Sequence, residues 1–141
     1  MLYAKCIHES QIAHTFEEFI ARQPEEYNVY CENQVTHSKY GNDALYCVPL
    51  NFIYDCLKYG NYIAIIEVDN CEEYSDSGSY QNKQIISSNQ KVVRILNAYT
   101  REAIDYVFDQ VNDSSLIHSG YVHWLPSELR DYFTLRKNNA R

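Results

Sequence analysis

The residue types that could do chemistry in this 141-residue chain fall into four groups. His118 and His123 flank Ser-Gly-Tyr-Val just before Trp124, a spacing that occurs in zinc sites. No cysteine pair accompanies them, so they read as two imidazoles partly exposed beside an aromatic. His14 and His37, taken with Cys31 or Cys47, have the types of a Cys–His nucleophile pair. No local signature ties them together, and chains of this composition contain such pairs by chance. Asp69, Glu72, Glu73 and Asp76 crowd one stretch, but without the D-x-D-x-D-G order that spaces ligands around Ca²⁺. They read as a solvated, charged loop. The five cysteines (Cys6, Cys31, Cys47, Cys56 and Cys71) form no C-x-x-C pair. Most sit in apolar runs, where a free thiol behaves as a small hydrophobe. A reducing, intracellular compartment is the expectation, with no metal and no resident cofactor.

Charge narrows the partners. A net charge of −7 argues against binding nucleic acid through phosphates, since counterion release needs a basic face, and equally against an anionic membrane surface. The basic residues Arg136, Lys137 and Arg141 cluster only at the end and read as a solvated tail, 136–141, behind a single domain, 1–135. With no h-region at the N-terminus and no apolar stretch of about 18 residues, neither a signal peptide nor a membrane span is expected. Fourteen tyrosines suggest half-buried strand faces and an adhesive surface, with Tyr27, Tyr30, Tyr40, Tyr74, Tyr80 and Tyr121 as candidates for a protein-binding face or for ordinary strand-face packing.

Periodicity gives the elements that must position these residues. Leu2–Ile7 alternates as a strand. Thr15-Phe-Glu-Glu18 is a capping-box pattern, and Phe16, Phe19 and Ile20 continue it as a helix that Pro24 ends. Residues 28–31 read as a short strand and 32–42 as a loop. Leu45–Val48 is a strand, followed by a helix with Pro49 at its first position and Leu50, Ile53, Tyr54 and Leu57 on one stripe. Gly60 closes that helix, and Tyr62–Val68 is a nearly continuous apolar strand, a pattern expected of a strand covered on both faces. Residues 69–82 read as loop, 84–87 and 91–96 as strands around the turn 88–90. Thr100 caps a helix with Ile104, Val107, Phe108 and Val111 inward. Leu116–Trp124 is ambiguous, a last strand being one reading. Ser127 starts a short helix facing Leu129, Tyr132 and Phe133 inward. The sum is a single α+β domain with a mixed or antiparallel central sheet and flanking helices.

The central unit carries two resemblances. L-Y-C at Leu45–Cys47, a helix ending at Tyr59-Gly60, then Y-I-A-I-I-E-V and K-Q-I-I-S at Lys83–Ser87 resemble the N-terminal domain of giant-virus (mimivirus-type) ankyrin-repeat proteins over roughly residues 40–96. The same pieces, in the same order, resemble the NAD-binding core of ADP-ribosyltransferases of the poly-ADP-ribose polymerase type. That second resemblance implies that Tyr46 stacks on nicotinamide, that His8-Glu9-Ser10 stands for the family's H-G-[ST], and that Lys83 occupies the position of the catalytic glutamate. Glu9 replaces the glycine that lets backbone approach the dinucleotide. Lys83 offers only donors and a positive charge, so it cannot stabilise an oxocarbenium cation.

Three functions follow as expectations. The first is a non-catalytic, viral-type interaction domain, acting in a host cytoplasm or virion on a protein partner or its own copy. The second is a degenerate ADP-ribosyltransferase-like domain that binds NAD or ADP-ribose through Tyr46, His8, Ser10 and Lys83. The third is a structural or virion component.

Overall fold

The computed structural model describes residues 2–23, 28–37, 45–68, 71–74, 84–87 and 89–139. Seven strands, β1 (Tyr3–Ile7), β2 (Val35–His37), β3 (Leu45–Pro49), β4 (Tyr62–Glu67), β5 (Cys71–Tyr74), β6 (Gln84–Ser87) and β7 (Asn89–Asn97), pair in the order β2-β7-β4-β1-β3-β6-β5. Every strand pairing is antiparallel. Three helices, α1 (Phe16–Arg22), α2 (Arg101–Gln110) and α3 (Ser127–Asn138), complete an α+β domain.

β4 organises the sheet. Ile63, Ala64, Ile65 and Ile66 have no solvent exposure, and their alternation divides the core in two. Ile63 and Ile65 join Ala4, Cys6, Ile104, Val107 and Phe133 on one face, where α2 and α3 pack. Ala64 and Ile66 join Ile7, Tyr30 and Val92 on the other. A strand buried on both faces needs apolar residues at every position, which is why Tyr62–Val68 lacks a polar alternation.

The sheet is not flat. β6 and β7 are separated by Ser88 alone, yet three strands lie between them in the pairing order. Residues two apart reach about 7 Å at most, whereas four strand spacings in a flat sheet span about 19 Å. The sheet therefore curls, with β6 and β7 as successive parts of one path. A three-stranded ladder, β3-β6-β5, and a five-stranded ladder, β2-β7-β4-β1-β3, share β3.

Thr100 caps α2 by accepting from Ala103 N, and Thr15 caps α1 by accepting from Glu18 N. The Glu18 carboxylate does not return to the cap; it pairs with Arg22 at 3.1 Å. Of the α1 stripe only Phe19 is buried, while Phe16 and Ile20 are half-exposed. The stripe Leu50, Ile53, Tyr54 and Leu57 is buried as expected, but it is wound as 3₁₀ turns, Leu50–Asp55 and Leu57–Tyr59, with Pro49 ending β3. Asn51, Phe52, Ile53, Tyr54, Asp55 and Cys56 all have modest α propensity, so burial fixes which residues point inward without enforcing an α-helix.

Other expectations are corrected. Residues 28–31 contribute only a bridge between Tyr30 and Ile12. The supposed loop 32–42 contains β2, anchored where the buried Thr36 hydroxyl donates to Val29 O at 2.7 Å. The supposed loop 69–82 contains β5. Asn89 and Gln90 belong to β7, not a turn, and Leu116–Trp124 forms 3₁₀ turns rather than a strand. The solvated tail does not begin at 136: Arg136, in α3, pairs with Asp105 and Asp109 of α2, and Lys137 donates to Ile117 O.

Candidate ligand cleft

β1 and β3 pair at only two positions, Tyr3 with Pro49 and Ala4 with Val48. Continued, the ladder would match Lys5 with Cys47 and Cys6 with Tyr46. Instead the strands part, and a cavity of about 390 Å³ opens between those residues, closed by Cys56, Tyr59 and Gln11. Its size is that of a small-molecule site. Gln11 is held from both ends, its Oε1 accepting from His8 N at 2.9 Å and its Nε2 donating to Asn28 O at 3.3 Å. A larger hollow of about 680 Å³ lies at the opposite end of β1, by Leu2 and Pro49, with Glu67 its one ionisable wall residue among those described. It gathers no chemistry.

Lys5 is the unusual residue. Tyr3, Lys5 and Ile7 share a face of β1, so the lysine stem enters an apolar cluster. Its ammonium donates to the Tyr30 hydroxyl and to Gln90 Oε1 at 3.4 Å, and lies 4.7 Å from the centre of the Tyr30 ring. Tyr30 and Gln90 have no solvent exposure, and Gln90 Nε2 has no partner among the described residues. No carboxylate pairs with Lys5 among the described residues. Burial therefore lowers its pKa to about 8, against a smaller opposing effect from Cys47. The Tyr30 hydroxyl is pushed well above its usual range by the same burial and stays neutral.

Two of the three thiols that line the cleft, Cys6 and Cys56, are quiescent. Burial raises Cys6 well above the ordinary thiol range and Cys56 to about 12. Both are free and donate weakly to backbone carbonyls, Cys6 to Ile53 and Cys56 to Phe52 at 3.8 Å each. Neither supplies a thiolate near neutral pH. Among the described residues no three His, Cys, Asp or Glu side chains lie together as a metal site requires. His118 is held by Asp55, 3.3 Å away, and packs on Phe52, while Asp55 also accepts from Gly120 N at 2.9 Å.

An aromatic strip runs from the mouth of the cleft. Tyr46, 48% exposed, and Tyr59, 50% exposed, stand on its walls. Lys58 Nζ lies 5.1 Å from the Tyr59 ring and 5.6 Å from the Tyr121 ring, and Tyr121 meets Trp124 edge-on at 5.4 Å. Trp124 is half-exposed. Tyr30, read from the sequence as a surface tyrosine, is instead wholly buried. Tyr27, Tyr40 and Tyr80 lie outside the described residues.

Of the positions singled out by resemblance, Tyr46 is on the cleft wall. His8 and Ser10 are exposed on the turn after β1, one residue either side of Glu9, and do not line the cavity. Lys83 lies outside the described residues. Lys5 was missed, although a lysine between Tyr3 and Ile7 on one strand face was the available signal. No family model, no curated protein and no solved structure matches the chain.

Proposed function

We propose that the chain is a binding domain that presents the strip Tyr46–Tyr59–Tyr121–Trp124 to a protein partner, as an interaction module of the viral type expected from the sequence, working in a reducing cell interior. One observation carries this reading: half-exposed Tyr46, Tyr59 and Trp124, with the partly buried Tyr121 between Lys58 and Trp124, come from three separated segments beside one cleft. Tyrosine and tryptophan give large contact area at low entropic cost and dominate binding hot spots. The absence of a membrane-spanning helix among the described residues agrees with a partner met in solution. Trp124 is the only tryptophan in the chain, so its emission reports occupancy of the strip. Peptides selected from a random display library against the immobilised domain are expected to blue-shift Trp124 emission and to bind at least about tenfold more weakly to Trp124→Ser and Tyr59→Ser variants. Selected peptides indifferent to both substitutions would place the binding face elsewhere.

A second reading is favoured by the parting of β1 and β3 beside Tyr46: a cleft between two ladders that accepts NAD or ADP-ribose without turning it over. Saturating NAD at about 100 times its dissociation constant would add about 2.7 kcal/mol to stability. A rise in melting temperature at millimolar NAD, lost in Tyr46→Ala, is the expected result. An unchanged melt sinks this reading and leaves the protein-binding one standing.

A further inference from the structure

We propose that Lys5 is a carbonyl-capturing amine, and that the cleft between β1 and β3 admits a small aldehyde or open-chain reducing sugar that condenses with its Nζ. The inference goes beyond both binding readings and needs only that the cleft be open to solutes. Three features of the geometry point to it. First, Lys5 lines a cavity of about 390 Å³ bounded chiefly by carbon, sulfur and aromatic rings. Second, among the described residues its amine meets neutral acceptors, the Tyr30 hydroxyl and Gln90 Oε1, in place of a carboxylate. A largely buried lysine is ordinarily paired, and a desolvated one shifts its pKa readily, as catalytic amines do. Third, a hydroxyl stands directly on the amine, that of the wholly buried Tyr30.

The chemistry balances without an oxidant or reductant. The lone pair of the free amine attacks the carbonyl carbon, forming the C–N bond and a carbinolamine. The carbinolamine loses its hydroxyl with a nitrogen-borne proton as water, leaving a C=N bond to Lys5. Tyr30 stays neutral and holds Nζ in place by hydrogen bonding to it, and the protons pass between nitrogen and oxygen through solvent in the cleft. Burial, which holds the amine near a pKa of 8, supports the assignment: at pH 7.5 on the order of a hundredfold more free amine is present than on a lysine of ordinary pKa. Two of the cleft thiols, Cys6 and Cys56, are too weakly acidic to compete with Lys5 for the carbonyl.

The test uses the full, reduced chain with glycolaldehyde as probe and cyanoborohydride as the hydride donor that fixes the imine as a secondary amine. Peptide mass spectrometry then follows labelling of Lys5 against Lys39, Lys58, Lys83, Lys91 and Lys137, the α-amino group being scored separately. Lys5 is expected to label at least about tenfold faster than the mean of the others at pH 7.5, an advantage that vanishes in urea. Tyr30→Phe, with folding checked by circular dichroism, is expected to slow Lys5 labelling while the other five are unchanged. Labelling of Lys5 at or below the mean rate in the folded protein overturns the proposal. If NAD still raises the melting temperature in that case, the cleft is open and only the carbonyl chemistry fails.

Discussion

Gly60→Ala is expected to cost more than about 4 kcal/mol of stability, a large part of what a domain of this size has. A Cβ at Gly60 would lie 2.1 Å from Ile7 O, 2.2 Å from Ile7 C and 2.8 Å from His8 N. All three are backbone atoms at the end of β1, so no side chain can swing away to make room. Relief would require β1 to move from β4, to which it is paired from Tyr3 through Ile7. Gly60 N also closes the 3₁₀ turn onto Leu57 O at 3.3 Å. The substitution thus strikes the junction that fixes both the turn bearing His8 and Ser10 and the cleft wall bearing Tyr59. The urea midpoint measures it. A loss under about 1 kcal/mol would mean that the chain does not approach itself there as described.

Lys5→Met is expected to have the second largest effect, and in the opposite direction at neutral pH. The folded-state pKa of Lys5 is lowered from 10.5 to about 8. Between those values the unfolded chain binds more protons than the folded one, so the Lys5 contribution to stability rises with pH. Below about pH 8 the full cost of burying the ammonium is present, of order 3 kcal/mol. Methionine removes that cost but leaves the buried Tyr30 hydroxyl and Gln90 Oε1 without the lysine donor, a loss of about 2 kcal/mol. The variant should therefore be more stable by about 1 kcal/mol at pH 7 and should lose about 3 kcal/mol relative to the parent as the pH rises toward 10.5.

Other groups titrate oppositely. Cys6, Cys31, Cys56, Tyr30 and Tyr54 all have raised folded-state pKa values. Their stabilisation is complete below the unfolded values and is lost as pH climbs toward the folded ones. Both proteins should lose stability in alkali for that reason, and the difference between them isolates Lys5. Among the described residues Cys47 acts electrostatically on the amine and Tyr30 is hydrogen-bonded to it, so the comparison is made under reducing conditions. Equal pH dependence in the two proteins would show that the amine is hydrated.

Much of the fold was legible where burial alone decides the residue type. The unbroken run Ile63–Ile66 announced a strand covered on both sides, and Thr100 announced α2 through its own hydroxyl. What failed were the strands that form by backbone pairing without an apolar pattern of their own. Val-Thr-His of β2 and Cys-Glu-Glu-Tyr of β5 carry no apolar alternation; their strands exist because β7 and β6 offer ladders to complete. The stripe from Leu50 to Leu57 showed which side faces in, and could not show that weak helix formers would wind it tighter. The site was less legible still. Tyr46, Tyr59, Tyr121 and Trp124 come from three separate segments that only the tertiary fold brings near one another. Resemblance led to Tyr46 on the cleft wall and to His8 and Ser10 off it.

Lys5 standing in an open cleft without a counterion is the central claim, and titration of its own amine tests it most directly. With lysine labelled at Cε, the Lys5 carbon signal followed from pH 6 to pH 11 in the folded protein should move with a midpoint of about 8. A midpoint above 10, where exposed or carboxylate-paired lysines titrate, would contradict both the desolvated amine and the chemistry assigned to it.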